Sequence, residues 1–182
     1  MLPALAGYDQ LGLYVVVATM TELIAWPVQA WADAHTGVWR DRHVDGRLWP
    51  APVLAAVTGY AVLAATTTAV GVWLLLVPVF GAAYQPARSL VVPLAAAAAM
   101  YAISRAAIAL NTAAGRPRVA VAADVAAMVT AVGLYAVWIP EHGAIGAAWG
   151  SLIGYGSAAA LALAATTSSP RLYPAQRSVR RR

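Results

Sequence analysis

The sequence contains no cysteine and no lysine. Without cysteine the chain cannot form disulfides, thiol nucleophiles or cysteine-based metal sites. Charged residues are also scarce: they make up 10% of the 182 residues, whereas an ordinary soluble domain has about 25%. A compact domain with so few charges lacks the polar side chains that would cover its surface, and disordered chains and coiled coils need still more charge. The composition therefore argues against a soluble enzyme and excludes a disordered chain and a coiled coil.

Hydrophobic residues make up 62% of the chain and are collected in long runs. A hydrocarbon core about 30 Å thick needs about 20 apolar residues in a helix. Five stretches reach that length, so the sequence predicts an all-α, polytopic membrane helix bundle over residues 1–166. The five predicted spans are residues 11–32, 53–80, 90–110, 119–139 and 144–165.

The positive charge is carried by arginine, and most of it falls on one side of these spans. Strict alternation places the loops after the first and third spans on the same side as the tail, residues 167–182. These segments hold Arg40, Arg42, Arg47, Arg116, Arg118, Arg171, Arg177, Arg180, Arg181 and Arg182, whereas the opposite side has Arg88. Arginine-rich segments stay in the cytoplasm. The pattern predicts an N-out, C-in membrane protein, with membrane lipids and not nucleic acid as the partner of the arginines. The high alanine content and the use of arginine without lysine are typical of a GC-rich bacterial source, which predicts a bacterial cytoplasmic membrane.

This orientation places Met1 outside, although the first ten residues have neither the basic segment nor the cleavage site of a signal peptide. A preceding helix beyond this sequence explains the orientation most simply. We therefore expect the chain to be part of a longer transporter.

Three ionisable residues lie inside predicted spans, where a charge costs about 3 kcal/mol and usually faces protein or water. Glu22, near the middle of the first span, either takes up a proton or cation during transport or joins two helices through hydrogen bonds. Arg105 and Asp124 lie six residues from the two ends of the segment 111–118, which places them at one depth on antiparallel helices. They form either a static salt bridge or a pair that opens so that the guanidinium holds a diphosphate.

Gly146, Gly150 and Gly154 repeat every four residues along the last predicted span. They leave one helical face bare, which predicts close helix packing, within the chain or against another chain. Motifs for catalysis are missing: the sequence has no phosphate-binding Gly-Lys-Ser/Thr loop and no pair of carboxylates close together in one loop. The sequence therefore predicts no enzymatic activity, no metal and no cofactor, and transport would draw on an ion gradient or the membrane potential.

Three passages resemble, in order, the C-terminal half of the Wzx-like polysaccharide flippases, within the larger group that includes lipid II flippases and multidrug extruders. They cover residues 12–27, 104–118 and 139–148. Their motifs are Gly12-Leu13-Tyr14 at a helix start, Thr21-Glu22-Leu23 with Pro27, the turn Gly115-Arg116-Pro117, and Ile139-Pro140 followed by Gly143-Ala144-Ile145-Gly146-Ala147-Ala148. The family has two related halves, so the resemblance implies a partner for this chain, either a missing N-terminal half or another membrane protein.

The resemblance implies a role in polysaccharide biosynthesis and export, in a flippase that translocates lipid-linked oligosaccharide across the cytoplasmic membrane. Arg105 would then bind the diphosphate, and Glu22 and Asp124 would act in ion coupling or charge compensation. Two alternatives stay open. One is a transporter of cationic drugs similar to the multidrug extruders, and the other is a non-transporting accessory or truncated fragment that packs against partner membrane proteins.

Overall fold

The computed structural model describes residues 7–168, and this part of the chain is all helical, without strands. The all-α fold class predicted from the sequence is confirmed for these residues. The helices are α1 (Tyr8–Glu22), α2 (Trp26–Val44), α3 (Pro50–Phe80), a short 3-10 helix (Ala82–Ala87), α4 (Arg88–Ala113) and α5 (Arg118–Thr167). The arginines of the predicted basic tail, from Arg171 on, lie outside the described residues.

Three helical segments within residues 7–168 are long and apolar enough to cross a membrane: α3, the stretch Ala82–Ala113 that includes α4, and α5. The bent pair formed by α1 and α2 makes a fourth when it is counted as one span. This criterion gives three or four spans where the sequence analysis expected five. The difference comes from α5, which is counted once although its backbone is non-helical at Gly143 and it covers two of the predicted spans.

The first predicted span, residues 11–32, is wrong as a single helix. α1 ends at Glu22, α2 begins at Trp26, and the two axes are bent by 44°. Pro27 is the physical cause, because it has no N–H to donate to the carbonyl of Leu23, and the connecting turn instead closes with the tighter bond from Ala25 N to Glu22 O at 3.0 Å. α2 then runs on to Val44, so the arginines at 40 and 42, expected in a loop, belong to an exposed helical end.

α4 is the central element of the bundle. Most of its residues are buried, many of them alanines, and it packs against α1, α2, α3 and α5. Small side chains let the neighbouring helices come close to the α4 backbone. α3, by contrast, exposes most of its apolar side chains, because it covers one side of the bundle and meets α4 along a single face.

α5 is a helical hairpin that reverses at Gly143. This residue has φ 57° and ψ −133°, a conformation open to glycine and strained for other residues. Two contacts establish the reversal: Gly154 lies against Ala131 and the carbonyl of Ala127, although a straight helix would separate residues 127 and 154 by about 40 Å. The first arm, residues 118–142, therefore runs antiparallel to the second arm, residues 144–167. The turn predicted over residues 140–143 is reduced to Gly143, and the helix continues through Pro140.

Polar contacts fix both ends of the second arm. At the turn, Ala144 N donates to Gln10 Oε1 at 3.2 Å, which joins the arm to the start of α1. At the opposite end, the fully buried Asn111 donates through Nδ2 to Ala162 O at 3.0 Å and to Thr166 Oγ1 at 2.8 Å. These bonds hold the second arm beside α1 and α4 and so position the cleft that lies between them.

Candidate functional site

A cleft of about 290 Å³ opens between α1, α2, α4 and both arms of α5, beside the bend that separates α1 from α2. We name it the tyrosine cleft. Its side chains combine five aromatic residues with a few polar groups. The lining residues are Tyr14, Ala18, Thr21, Glu22, Ala25, Trp26, Gln29, Leu94, Ala97, Ala98, Tyr101, Tyr135, Ser151 and Tyr155.

The Ser151 hydroxyl joins two tyrosines at one end of the cleft. Its oxygen lies 3.1 Å from the Tyr14 hydroxyl and 2.6 Å from the Tyr135 hydroxyl, and it donates to Ala147 O at 3.0 Å. A serine hydroxyl has one proton, and the bond to Ala147 uses it. Both tyrosines must therefore donate to Ser151, which leaves the lone pairs of their oxygens available to a ligand.

A second pair of tyrosines lies further toward the C-terminal end of α4. The rings of Tyr101 and Tyr155 have centroids 5.0 Å apart and are tilted by 54°, an arrangement typical of favourable aromatic pairs. The Tyr101 hydroxyl donates to Gln29 Oε1 at 3.5 Å. Aromatic faces and one amide are therefore held together on three elements, α2, α4 and the second arm of α5.

Glu22 is the one ionisable acid among the described residues that line the cleft, and none of those residues is basic. It ends α1 and is exposed, so the span that the sequence predicts as continuous around Glu22 is broken at this residue. Within residues 7–168 its carboxylate makes no hydrogen bond and no ion pair. An unpaired carboxylate beside aromatic rings makes the cleft electronegative.

Arg105 and Asp124 face each other, with Nη1 and Oδ1 3.4 Å apart. The contact is a single long one, and the Asp124 side chain is 61% exposed against 26% for Arg105. The guanidinium carbon also lies 5.9 Å from the centre of the Tyr101 ring. Arg105 is thus paired to an exposed carboxylate and borders the cleft without lining it.

Gly146, Gly150 and Gly154 are buried where the two arms of α5 meet. A Cβ at Gly150 would lie 2.7 Å from the Tyr135 ring, and one at Gly154 would lie 2.9 Å from the Ala131 Cβ. Close approach at the glycines brings Tyr135 on the first arm beside Ser151 on the second. The glycine face therefore packs within the chain and builds one wall of the cleft.

Of the residues that line this cleft, Glu22 was a candidate from the sequence and Tyr14 was named only as part of a motif. Tyr101, Tyr135 and Tyr155 were not predicted to have a role. The one available signal was the presence of phenol hydroxyls inside apolar helices, where each needs a polar partner. Between Gly7 and Ser168 no three acidic or histidine side chains form a group that could hold a metal ion. No protein-family model, curated protein or solved structure matches the chain.

Proposed function

We propose that the chain is part of a bacterial flippase that translocates lipid-linked oligosaccharide across the cytoplasmic membrane. The observation that carries the proposal is the tyrosine cleft, a polar and aromatic site inside an apolar helix bundle. Ligand sites typically combine aromatic walls with a few placed polar groups. Tyr101 and Tyr155 offer ring faces to a sugar, and the Gln29 amide offers a hydrogen bond to its hydroxyl groups.

Arg105 and Tyr101 on α4 suit a head group that consists of a diphosphate and a sugar. Arg105 lies one helical turn from Tyr101, toward the predicted cytoplasmic end, and its guanidinium fork matches the oxygens of a diphosphate. A diphosphate at Arg105 places the attached sugar at Tyr101. Glu22 and Asp124 then act in ion coupling or in compensating the arginine charge. The bend between α1 and α2 lies beside the cleft, as the broken helices of transporters lie beside their substrates.

The proposal includes five membrane crossings, N-out and C-in: the bent pair α1 and α2, then α3, then α4 with the 3-10 helix, and finally the two arms of α5. Because the chain has no cysteine, single cysteines can report this topology. We expect Arg47→Cys to react with a membrane-impermeant maleimide from the cytoplasmic side and Gln85→Cys to react from the outside. Labelling of both positions in intact cells, or of neither, would contradict the topology.

Loss of a stacking ring should lower translocation. In proteoliposomes that hold the full chain, we expect Tyr101→Ala to reduce the translocation of a fluorescent lipid-linked oligosaccharide about tenfold, since an aromatic contact is worth about 1 kcal/mol in addition to its buried area. Tyr84→Ala is the matched control, because Tyr84 pairs with Phe80 and does not line the cleft. Equal loss of translocation in both variants would count against the proposal.

A second candidate function is the export of organic cations, as in the multidrug extruders. The observation that favours it is the lining of the cleft, which has Glu22 and no basic residue. Efflux of a quaternary ammonium dye from cells that express the chain distinguishes the two functions. Dye efflux that needs Glu22, without translocation of lipid-linked sugar, would replace the flippase by the cation exporter.

A further inference from the structure

We propose that the tyrosine cleft recognises a protonated primary amine. The amine then belongs to the cargo, a lipid-linked sugar with a free amino group. This identification of the cargo rests on the proposed function. The same ammonium chemistry also occurs in small cationic amines, and the experiment below separates the two sources.

Most hydroxyl protons of the cleft are already donated within the protein. Ser151 gives its one proton to Ala147 O, so Tyr14 and Tyr135 give theirs to Ser151. Tyr101 gives its proton to Gln29 Oε1. These four hydroxyl groups are committed as donors within the protein, whereas the Tyr155 hydroxyl, which also lines the cleft, makes no hydrogen bond within residues 7–168. The phenol oxygens of Tyr14, Tyr101 and Tyr135 remain as acceptors, which favour a ligand that brings N–H or O–H donors.

The cleft is lined by one carboxylate and by no basic side chain among the described residues. This carboxylate, Glu22, makes no hydrogen bond or ion pair within residues 7–168. Aromatic faces attract a cation through their negative quadrupole, and the effect grows when the site is shielded from water. A primary ammonium group donates to phenol oxygens and is attracted by the rings and by the carboxylate. A quaternary ammonium group, which has no N–H, is attracted by the rings and the carboxylate but donates to no phenol oxygen.

The cleft also has groups that suit the sugar ring that would carry the amine. The Gln29 amide has its oxygen occupied by Tyr101, and its two N–H groups remain to donate to hydroxyl oxygens. Tyr101 and Tyr155 form the ring pair beside this amide. The cleft therefore has one set of groups for a hydroxylated ring, Gln29, Tyr101 and Tyr155, and other groups that attract an ammonium, which favours an amino sugar over a simple amine.

Equilibrium binding to the full chain in detergent, measured by calorimetry, tests the proposal with three probes: glucosamine, N-acetylglucosamine and benzylammonium. Glucosamine and N-acetylglucosamine share the ring and differ at the amine. We expect glucosamine to bind at least about tenfold more tightly, which corresponds to one charge-assisted contact. Equal binding of these two sugars would overturn the proposal. Binding of benzylammonium as tight as that of glucosamine would support ammonium recognition and assign its source to cationic amines.

Two substitutions test whether the preference for glucosamine arises in the tyrosine cleft. Glu22→Gln should abolish the preference for glucosamine, whereas Glu141→Gln should preserve it, because Glu141 lies near the α5 turn and does not line the cleft. Tyr135→Phe, which keeps the ring and removes an acceptor oxygen, should lower the preference if Glu22→Gln fails to fold. A preference that survives both changes would place the binding elsewhere and overturn the proposal. Translocation of a neutral lipid-linked sugar without any ammonium preference would refute this inference and leave the flippase intact.

Discussion

Gly146→Leu is expected to prevent the two arms of α5 from closing. A Cβ at residue 146 already collides with the carbonyl oxygen of Trp138 and would lie 2.7 Å from its carbonyl carbon. Both atoms belong to the backbone of the facing arm, which cannot rotate away as a side chain does. Overpacking a core costs about 1–3 kcal/mol when side chains can adjust, and a leucine against backbone should reach or exceed the upper value. Thermal unfolding in detergent, followed by circular dichroism, measures the loss.

The matched control is Gly156→Leu, ten residues further along the same arm. Gly156 is helical, and a Cβ at this position would meet no neighbouring part of the described chain within 4 Å, so the side chain has room there. Replacing a helical glycine by a better helix former stabilises by about 0.5–1 kcal/mol. The two substitutions should therefore shift the unfolding temperature in opposite directions. A Gly146→Leu protein as stable as wild type would mean that the arms do not pack as described.

Two predicted spans, 53–80 and 90–110, lie close to observed helices because their ends carry local signals. α3 begins at Pro50, whose fixed φ suits a first helical turn, and ends before Gly81 at φ 93°. The first span, 11–32, was wrong in two ways. Apolar composition marks where a chain can lie in a membrane, but it reports neither a break inside the run nor the continuation of α2 through polar residues to Val44.

The candidate site was only partly predictable, because depth follows from sequence spacing and direction around a helix axis does not. Equal offsets from the 111–118 segment placed Arg105 and Asp124 at one depth, and the structure joins them at 3.4 Å. The tyrosine cleft draws its side chains from four helices. The cleft forms only because the chain bends before Pro27 and because the two arms of α5 come close at Gly150. Neither feature can be predicted from the spacing of residues along the sequence.

The geometry of the Arg105–Asp124 pair indicates that it can open at low cost. Asp124 is 61% exposed, and the two side chains share one contact of 3.4 Å in place of a bidentate fork. Where water reaches Asp124, an exposed pair of this kind contributes about 0–1 kcal/mol. A diphosphate that offers several charged oxygens would compete well for the guanidinium. A static pair would stabilise the fold only slightly, which would not offset the cost of placing two ionisable residues inside predicted spans.

Arg105→Ala should therefore reduce translocation of lipid-linked oligosaccharide by about a hundredfold, since charged hydrogen bonds to a phosphate contribute about 1.5–3 kcal/mol each. Asp124→Asn should lower translocation less than Arg105→Ala does, because it removes the compensating charge but leaves the guanidinium in place. The decisive variant reverses the pair, Arg105→Asp with Asp124→Arg, and keeps an ion pair of the same depth and composition. A static salt bridge would survive the reversal with full activity, which would remove Arg105 from substrate binding. Diphosphate binding requires the guanidinium on α4 beside Tyr101, so we expect the reversed protein to fold as wild type does and to translocate as poorly as Arg105→Ala.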